Sequence, residues 1–166
     1  MDLQQFNQLS RAQAQALLQP CVHIPNWIEA LIQQRPFPST DQLFDYAVEQ
    51  AKRWCWAEIA EALAQHPRIG ERKAAAELSA KEQNFSTHEQ SQLGADATLQ
   101  QALYQGNLDY EHKFGHIFLI RAAGRTGQEM LSELQRRLGN TTQQEQHEVQ
   151  QQLTEIAVLR LKQEIQ

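Results

Sequence analysis

The sequence predicts an all-α protein, a single-domain helical bundle over residues 1–166. Three observations predict it. All five prolines lie at or before Pro67 and all seven glycines at or after Gly70. The first part therefore reads as helices separated by proline breaks, and the second as helices joined by glycine turns. Apolar residues recur at spacings of three and four along most of the chain. Only one segment, His116–Ala122 (HIFLIRA), has extended character, and one short strand cannot make a sheet.

The elements follow in order. Ser10 caps a short helix ending near Pro20. Pro25 suits the first turn of the next, whose Trp27, Ile28, Leu31 and Ile32 share a face, and Pro36 stops it. Ser39 or Thr40 caps a longer segment with Leu43, Phe44, Ala47, Val48, Ala51, Trp54 and Cys55 at helical spacing. A further stripe, Trp56, Ile59 and Leu63, runs up to His66 and Pro67, with a kink or helix junction at 54–56. Residues 68–85 are mixed and polar, with room for a short helix over 72–78. Ser86 begins a helical stretch reaching about Gln105, and residues 107–114 are helical. Thr126 to Leu138 is a helix with Met130, Leu131, Leu134 and Leu138 inward and Gly139 as its stop. A last helix runs from about Thr142 to the end. It is glutamine-rich, but charges and leucines at helical spacing interrupt the glutamines. No internal repeat or linker is visible.

Composition bounds the function. A chain of 166 residues can bury a core of its own. Apolar residues make up 41% and mean hydropathy is -0.61, and no run approaches the apolar length a membrane span needs. The start, MDLQQFNQLS, lacks the basic and then apolar pattern of a signal peptide, so the expected location is cytoplasmic. Net charge is -5 and Lys and Arg form no basic stripe, which argues against nucleic acid and membranes as partners. A small anionic substrate needs only one or two local cations. Cys21 and Cys55 sit in no metal-type or redox pair and read as reduced, buried thiols.

Function shows where a polar residue falls on an apolar face. His66 continues the stripe Trp56, Ile59, Leu63 at a helix C-terminus. The helix end favours imidazolium and burial favours neutral imidazole, so this histidine can exchange a proton near neutral pH or can simply be packed there. Arg160 follows Val149, Leu153 and Ile156 on the last helix. A guanidinium there needs an anionic or carbonyl partner, either a substrate or an internal acid. If it faces an open pocket, replacing it leaves thermal stability almost unchanged. Ser86 and Glu89 have the spacing of a capping box, as do Thr126 with Glu129 and Thr142 with Glu145. The helix N-terminus they would define also suits a carbonyl-rich or anionic ligand. His112 and His116 have the spacing of a helical zinc pair, but Gly115 lies between them and no third ligand is nearby, so no metal site is expected. There is no phosphate loop, no nucleophile elbow and no Cys-His nucleophile pair.

Six motifs then occur in order. They are His66-Pro67-Arg68-Ile69-Gly70; Ser86-x-x-Glu89-Gln90; Asn107-x-x-Tyr110-x-x-x-Phe114-Gly115 with Ile117-Phe118-Leu119-Ile120; Gly124-Arg125; Arg137-x-x-Asn140; and Leu159-Arg160-Leu161. This set resembles the 2-oxo-4-hydroxy-4-carboxy-5-ureidoimidazoline (OHCU) decarboxylase family. The resemblance implies an all-helical, cofactor-free and commonly dimeric enzyme of urate breakdown. It implies His66 as catalytic acid/base and Glu89 as the second catalytic residue. It also implies a substrate pocket lined by Pro67, Ser86, Glu89, Gln90, the stretch starting at Ile120, and Arg160. Two positions depart from the pattern. Many members have Asp-Leu where this chain has Arg68-Ile69, and Phe-Gly-Phe where it has Phe114-Gly115-His116. The second leaves open whether His116 forms pocket wall or faces away.

The implied chemistry needs no cofactor. The substrate carries its carboxylate next to a carbon doubly bonded to nitrogen, so the imine accepts the electrons that pyridoxal or thiamine would otherwise take. The protein orients the ring and delivers a proton. Two other readings remain open from the residues alone: a related enzyme on another ureido or imidazole substrate, and a non-catalytic helical interaction module.

Overall fold

The computed structural model describes residues 1–70 and 96–166. Eight helices occur among them: α1 (Leu3–Gln8), α2 (Arg11–Leu18), α3 (Pro25–Gln34), α4 (Thr40–Ala51), α5 (Trp56–Leu63), α6 (Ala97–Phe114), α7 (Gly127–Arg137) and α8 (Thr142–Glu164). The described residues contain no strand. The chain divides into two compact units, Met1–Ala62 with Leu153–Gln166, and Leu63–Gln152.

The first unit is ordered by caps and proline stops. Asp2 and Ser10 each close a capping box, with Gln5 and Gln13 respectively, so α1 and α2 start where their first N–H groups find side-chain acceptors. Pro25 occupies the first turn of α3, and Ser39 caps α4 through the N–H of Gln42. Trp27 is 1% exposed and satisfies its indole N–H on the Ala47 carbonyl at 2.9 Å, tying α3 to α4. Trp54 lies in the α4–α5 junction, edge-on to Trp27 at 6.4 Å. Arg35 Nη1 donates to the carbonyls of Phe6 and Leu9, at 2.8 and 2.9 Å, while Nε donates to that of Ile32. One guanidinium thus satisfies the C-terminal ends of two helices. In α8 the stripe predicted from spacing is buried: Leu153, Ile156, Arg160 and Leu161 are all at most 4% exposed. Cys21 is buried as expected, but Cys55 is exposed, because it precedes α5 on the surface of the junction rather than extending α4.

The second unit is built on α6 against α7. The helix containing 97–114 starts at Asp96, whose side chain accepts from the N–H groups of Thr98 and Leu99. The predicted short helix over 72–78 and the part of the predicted helical stretch from Ser86 up to residue 95 lie outside the described residues, while residues 97–105 and 107–114 form one helix rather than two. Gly106 does not break α6. A Cβ there would stand 2.5 Å from Leu134 Cδ2, so this glycine lets α7 approach. Gly115, with φ of 78°, ends α6 in the left-handed conformation. Thr126 closes a capping box with Glu129 at the start of α7, as its spacing predicts. The matching prediction for Thr142 and Glu145 fails. Thr141 and Gln144 exchange those bonds, one residue earlier, and Glu145 turns inward. Between α6 and α7, residues 117–122 form neither helix nor strand. Their Phe118, Ile120 and Ala122 join Leu103, Tyr110, Met130 and Leu134 in one apolar cluster. No described helix is long and apolar enough to cross a membrane.

Candidate active site

Chain order places His66 three residues past the end of α5. Its N–H donates to the Leu63 carbonyl at 3.0 Å, so the turn continues the direction of the helix before Pro67 ends it. His66 is 8% exposed, on the inner side as the stripe predicts. Pro67 beside it is half-buried. The turn that follows is fastened to α6 at two points. Asn107, itself 4% exposed, donates from Nδ2 to the Ile69 carbonyl at 3.1 Å. Arg68 Nε reaches both carboxylate oxygens of Glu111 at 2.9 Å. The second contact is partly exposed and worth at most about 1 kcal/mol. Its structural meaning is larger: Arg68, the departure from the family pattern, has a partner of opposite charge one helix away. Gly70 closes the turn at φ 83°, a conformation that favours glycine.

Ile69 and Ile120 pack in the same cluster, so the turn after His66 and the segment 117–122 meet. Ile120 is 3% exposed, and its side chain is core. Any contact it offers a ligand is therefore through its peptide groups. Arg160 belongs to the other unit. It is 4% exposed and donates from Nη1 to the Pro20 carbonyl at 3.1 Å. That placement corrects the expectation of a guanidinium met by water in an open pocket. The charge is buried and bonded to protein, so replacing it affects folding as well as any ligand. Ser86, Glu89 and Gln90 lie outside the described residues. A groove of about 420 Å³ lies against the same turn, lined in part by Arg68, Gly70, Tyr104 and Asn107. His66 and Ile120 are not among its lining residues, and it is not assigned to the reaction.

His116 is half-buried. It stands edge-on to Tyr110 at 5.5 Å and near Phe114 at 6.2 Å, with Nδ1 against the Ile117 carbonyl at 3.0 Å. It occupies an aromatic cluster with Tyr110 and Phe114. Among the described residues no three His, Cys, Asp or Glu side chains come together as a metal site would require.

Sequence reasoning missed a buried ionic centre. Glu145 is fully buried and accepts from Arg137 Nε at 2.8 Å, from Arg137 Nη2 and Tyr110 Oη at 2.5 Å each, and from Asn140 at 3.0 Å. Arg137 is 1% exposed, lies over the Phe118 ring, and donates from Nη1 to the Leu119 carbonyl at 2.8 Å. Burial pushes the Tyr110 hydroxyl far above its ordinary range, and its bond to Glu145 adds to the shift, so it stays a donor. A signal was present in the sequence. Arg137 stands three residues after Leu134 on the inward stripe, where an apolar residue is expected.

The OHCU decarboxylase family model matches residues 7–162. A curated relative, the uric acid degradation bifunctional protein of Bacillus sp. (strain TB-90), is 27% identical over 165 residues. That match covers 97% of this chain but only 32% of the relative, so the chain spans about a third of that protein's length. A crystal structure of OHCU decarboxylase in the presence of (S)-allantoin aligns with TM-score 0.70 at 25% identity, covering 87% of this chain and 94% of the other. A crystal structure of (S)-allantoin synthase aligns with TM-score 0.70 at 18% identity, covering 99% of this chain and 54% of the other, and shows the fold alone. The all-helical fold and the matched sequence together define the class of protein. The chain belongs to the OHCU decarboxylase family.

Proposed function

We propose that the protein decarboxylates 2-oxo-4-hydroxy-4-carboxy-5-ureidoimidazoline to (S)-allantoin in urate breakdown, with His66 as acid/base. The observation that carries the reading is family membership over residues 7–162, with the motif histidine present and turned inward at a helix end. In the reaction the bond from ring carbon to carboxylate breaks and carbon dioxide leaves. The electron pair moves towards the neighbouring imine, whose nitrogen is protonated. The resulting enol gives up its hydroxyl proton, and the former imine carbon receives a proton on one face, which sets the S configuration. A positioned proton donor or acceptor contributes about 10²–10⁴-fold to such a step. His66 is suited to that role, because imidazole is the side chain that exchanges a proton near neutral pH and this one is buried on the inner side of the turn that follows α5.

Glu89 fits the orientation of ureido or ring N–H groups, and Arg160 the binding of a carbonyl or carboxylate. Pro67, Ser86, Gln90 and the backbone at Ile120 complete the proposed pocket. The imine serves as electron sink, so the reaction as written requires neither cofactor nor metal. We read the chain as one domain, since a single family model runs through both units, and as a cytoplasmic homodimer of the family type. The test is to supply freshly generated intermediate to protein dialysed against a chelator, following carbon dioxide release and allantoin by circular dichroism. Accelerated formation of (S)-allantoin is expected. Racemic allantoin at the spontaneous rate overturns the function, and activity restored only by a divalent metal overturns the cofactor-free chemistry.

A further inference from the structure

The segment 117–122, which is neither helix nor strand, has no backbone ladder to hold it, yet it carries Ile120. A buried backbone without a ladder must place its N–H and C=O groups elsewhere. On one side of Ile120, the Leu119 carbonyl accepts from Arg137 Nη1 at 2.8 Å. On the other, the Arg121 N–H donates to Gln152 Oε1 at 2.9 Å. Arg137 is in turn held by Glu145, which also takes the Tyr110 hydroxyl and the Asn140 amide. Between these two fixed points, none of the hydrogen bonds among the described residues engages the N–H or C=O of Ile120 itself. The Ile120 side chain is core, so only its peptide groups can address a ligand.

We propose that the Arg137–Glu145 pair and Gln152 are positioning residues that clamp the backbone on either side of Ile120, and so hold the Ile120 peptide groups in the orientation that binds substrate. This rests on the proposed reading of Ile120 as part of the substrate pocket. Neither side chain needs to touch substrate. Arg137 acts through the Leu119 carbonyl and Gln152 through the Arg121 amide. A planar guanidinium can hold the carboxylate with one edge and the carbonyl with its remaining N–H, which a lysine ammonium cannot reproduce in the same geometry. Gln152 is half-buried and neutral, so its removal leaves no buried charge behind.

The decisive variants are Gln152→Ala, which spares the ionic centre, and Gln152→Glu, which keeps the acceptor for the Arg121 amide. Steady-state kinetics on freshly generated intermediate are measured per folded molecule, beside wild type and Arg137→Lys. The clamp predicts that Gln152→Ala loses about tenfold in kcat/KM, mostly through a raised KM, and that Gln152→Glu recovers most of it. Arg137→Lys, where it folds, shows the same KM-weighted loss. Gln152→Ala with wild-type kcat/KM but a lowered Tm makes these contacts structural only and overturns the proposal. So does a Gln152→Glu variant no better than Gln152→Ala. Inactive wild-type protein is a separate outcome that removes the functional reading on which the clamp rests.

Discussion

Replacing Glu145 with Ala removes the centre of the buried network and leaves Arg137, 1% exposed, without its counter-charge. The Tyr110 hydroxyl and the Asn140 amide lose an acceptor at the same time. Breaking a buried ion pair by deleting one partner costs about 3–5 kcal/mol, because the remaining charge stays desolvated. For a protein of this length each kcal/mol corresponds to about 2–4 °C, so a fall in Tm of about 6–20 °C is expected. Replacing both members of the pair by leucine is expected to cost less than the sum of the single replacements, since the orphaned charge disappears. Thermal and urea unfolding of Glu145→Ala, Arg137→Leu and the double variant, followed by circular dichroism, measure all three terms. A loss below about 1 kcal/mol for Glu145→Ala would refute the reasoning, as it would mean that solvent reaches the guanidinium.

Three further predictions follow from other parts of the molecule. Arg160→Lys is expected to lower kcat/KM about ten- to a hundredfold, because a point charge replaces a planar fork, and also to lower Tm, because the contact to Pro20 is lost. Unchanged kcat/KM per folded molecule, with Tm lowered, removes Arg160 from the proposed pocket. Glu89→Gln is expected to leave Tm nearly unchanged while activity falls sharply, and wild-type kinetics would limit Glu89 to capping. Acid stability is the third. Burial opposes ionisation of Glu148, but hydrogen bonds from Arg136 and Asn140 outweigh it and hold the carboxyl below its ordinary value of 4.5; Arg136 does the same to Glu133. Their stabilisation is complete well above pH 4.5 and is lost as pH falls below that value through the folded-state pKa. Urea midpoints between pH 6 and 3 at low salt should therefore drop more for wild type than for Glu148→Gln, and equal slopes would contradict the assignment.

The parts of the fold governed by local rules were legible in the sequence. Ser10, Pro25, Ser39 and Thr126 each start the helix their chemistry predicts, and the stripe Val149, Leu153, Ile156, Arg160 is buried as its spacing requires. What was not legible depended on pairing between distant residues. Thr142 and Glu145 satisfy the capping-box spacing, but Thr141 and Gln144 satisfy it too. The choice was decided by Arg137, whose buried charge draws Glu145 inward from the first turn of α8. Gly106 reads as a break in a helical pattern, yet the approach of Leu134 makes it a packing glycine inside α6. At the candidate site, the inward placement of His66 followed from the stripe before it. The fastening of its turn by Asn107 and Glu111 did not, because those contacts span about forty residues of sequence.

The central claim is that a positioned histidine turns a spontaneous decay into a stereospecific reaction. The measurement that tests it most directly is the rate and chirality of allantoin formation from freshly generated intermediate, with wild type and His66→Asn compared at equal folded concentration. The account predicts rapid (S)-allantoin with wild type, and with His66→Asn a rate at least about a hundredfold lower from a protein that still folds. A folded His66→Asn variant that makes (S)-allantoin at near wild-type rate would contradict it.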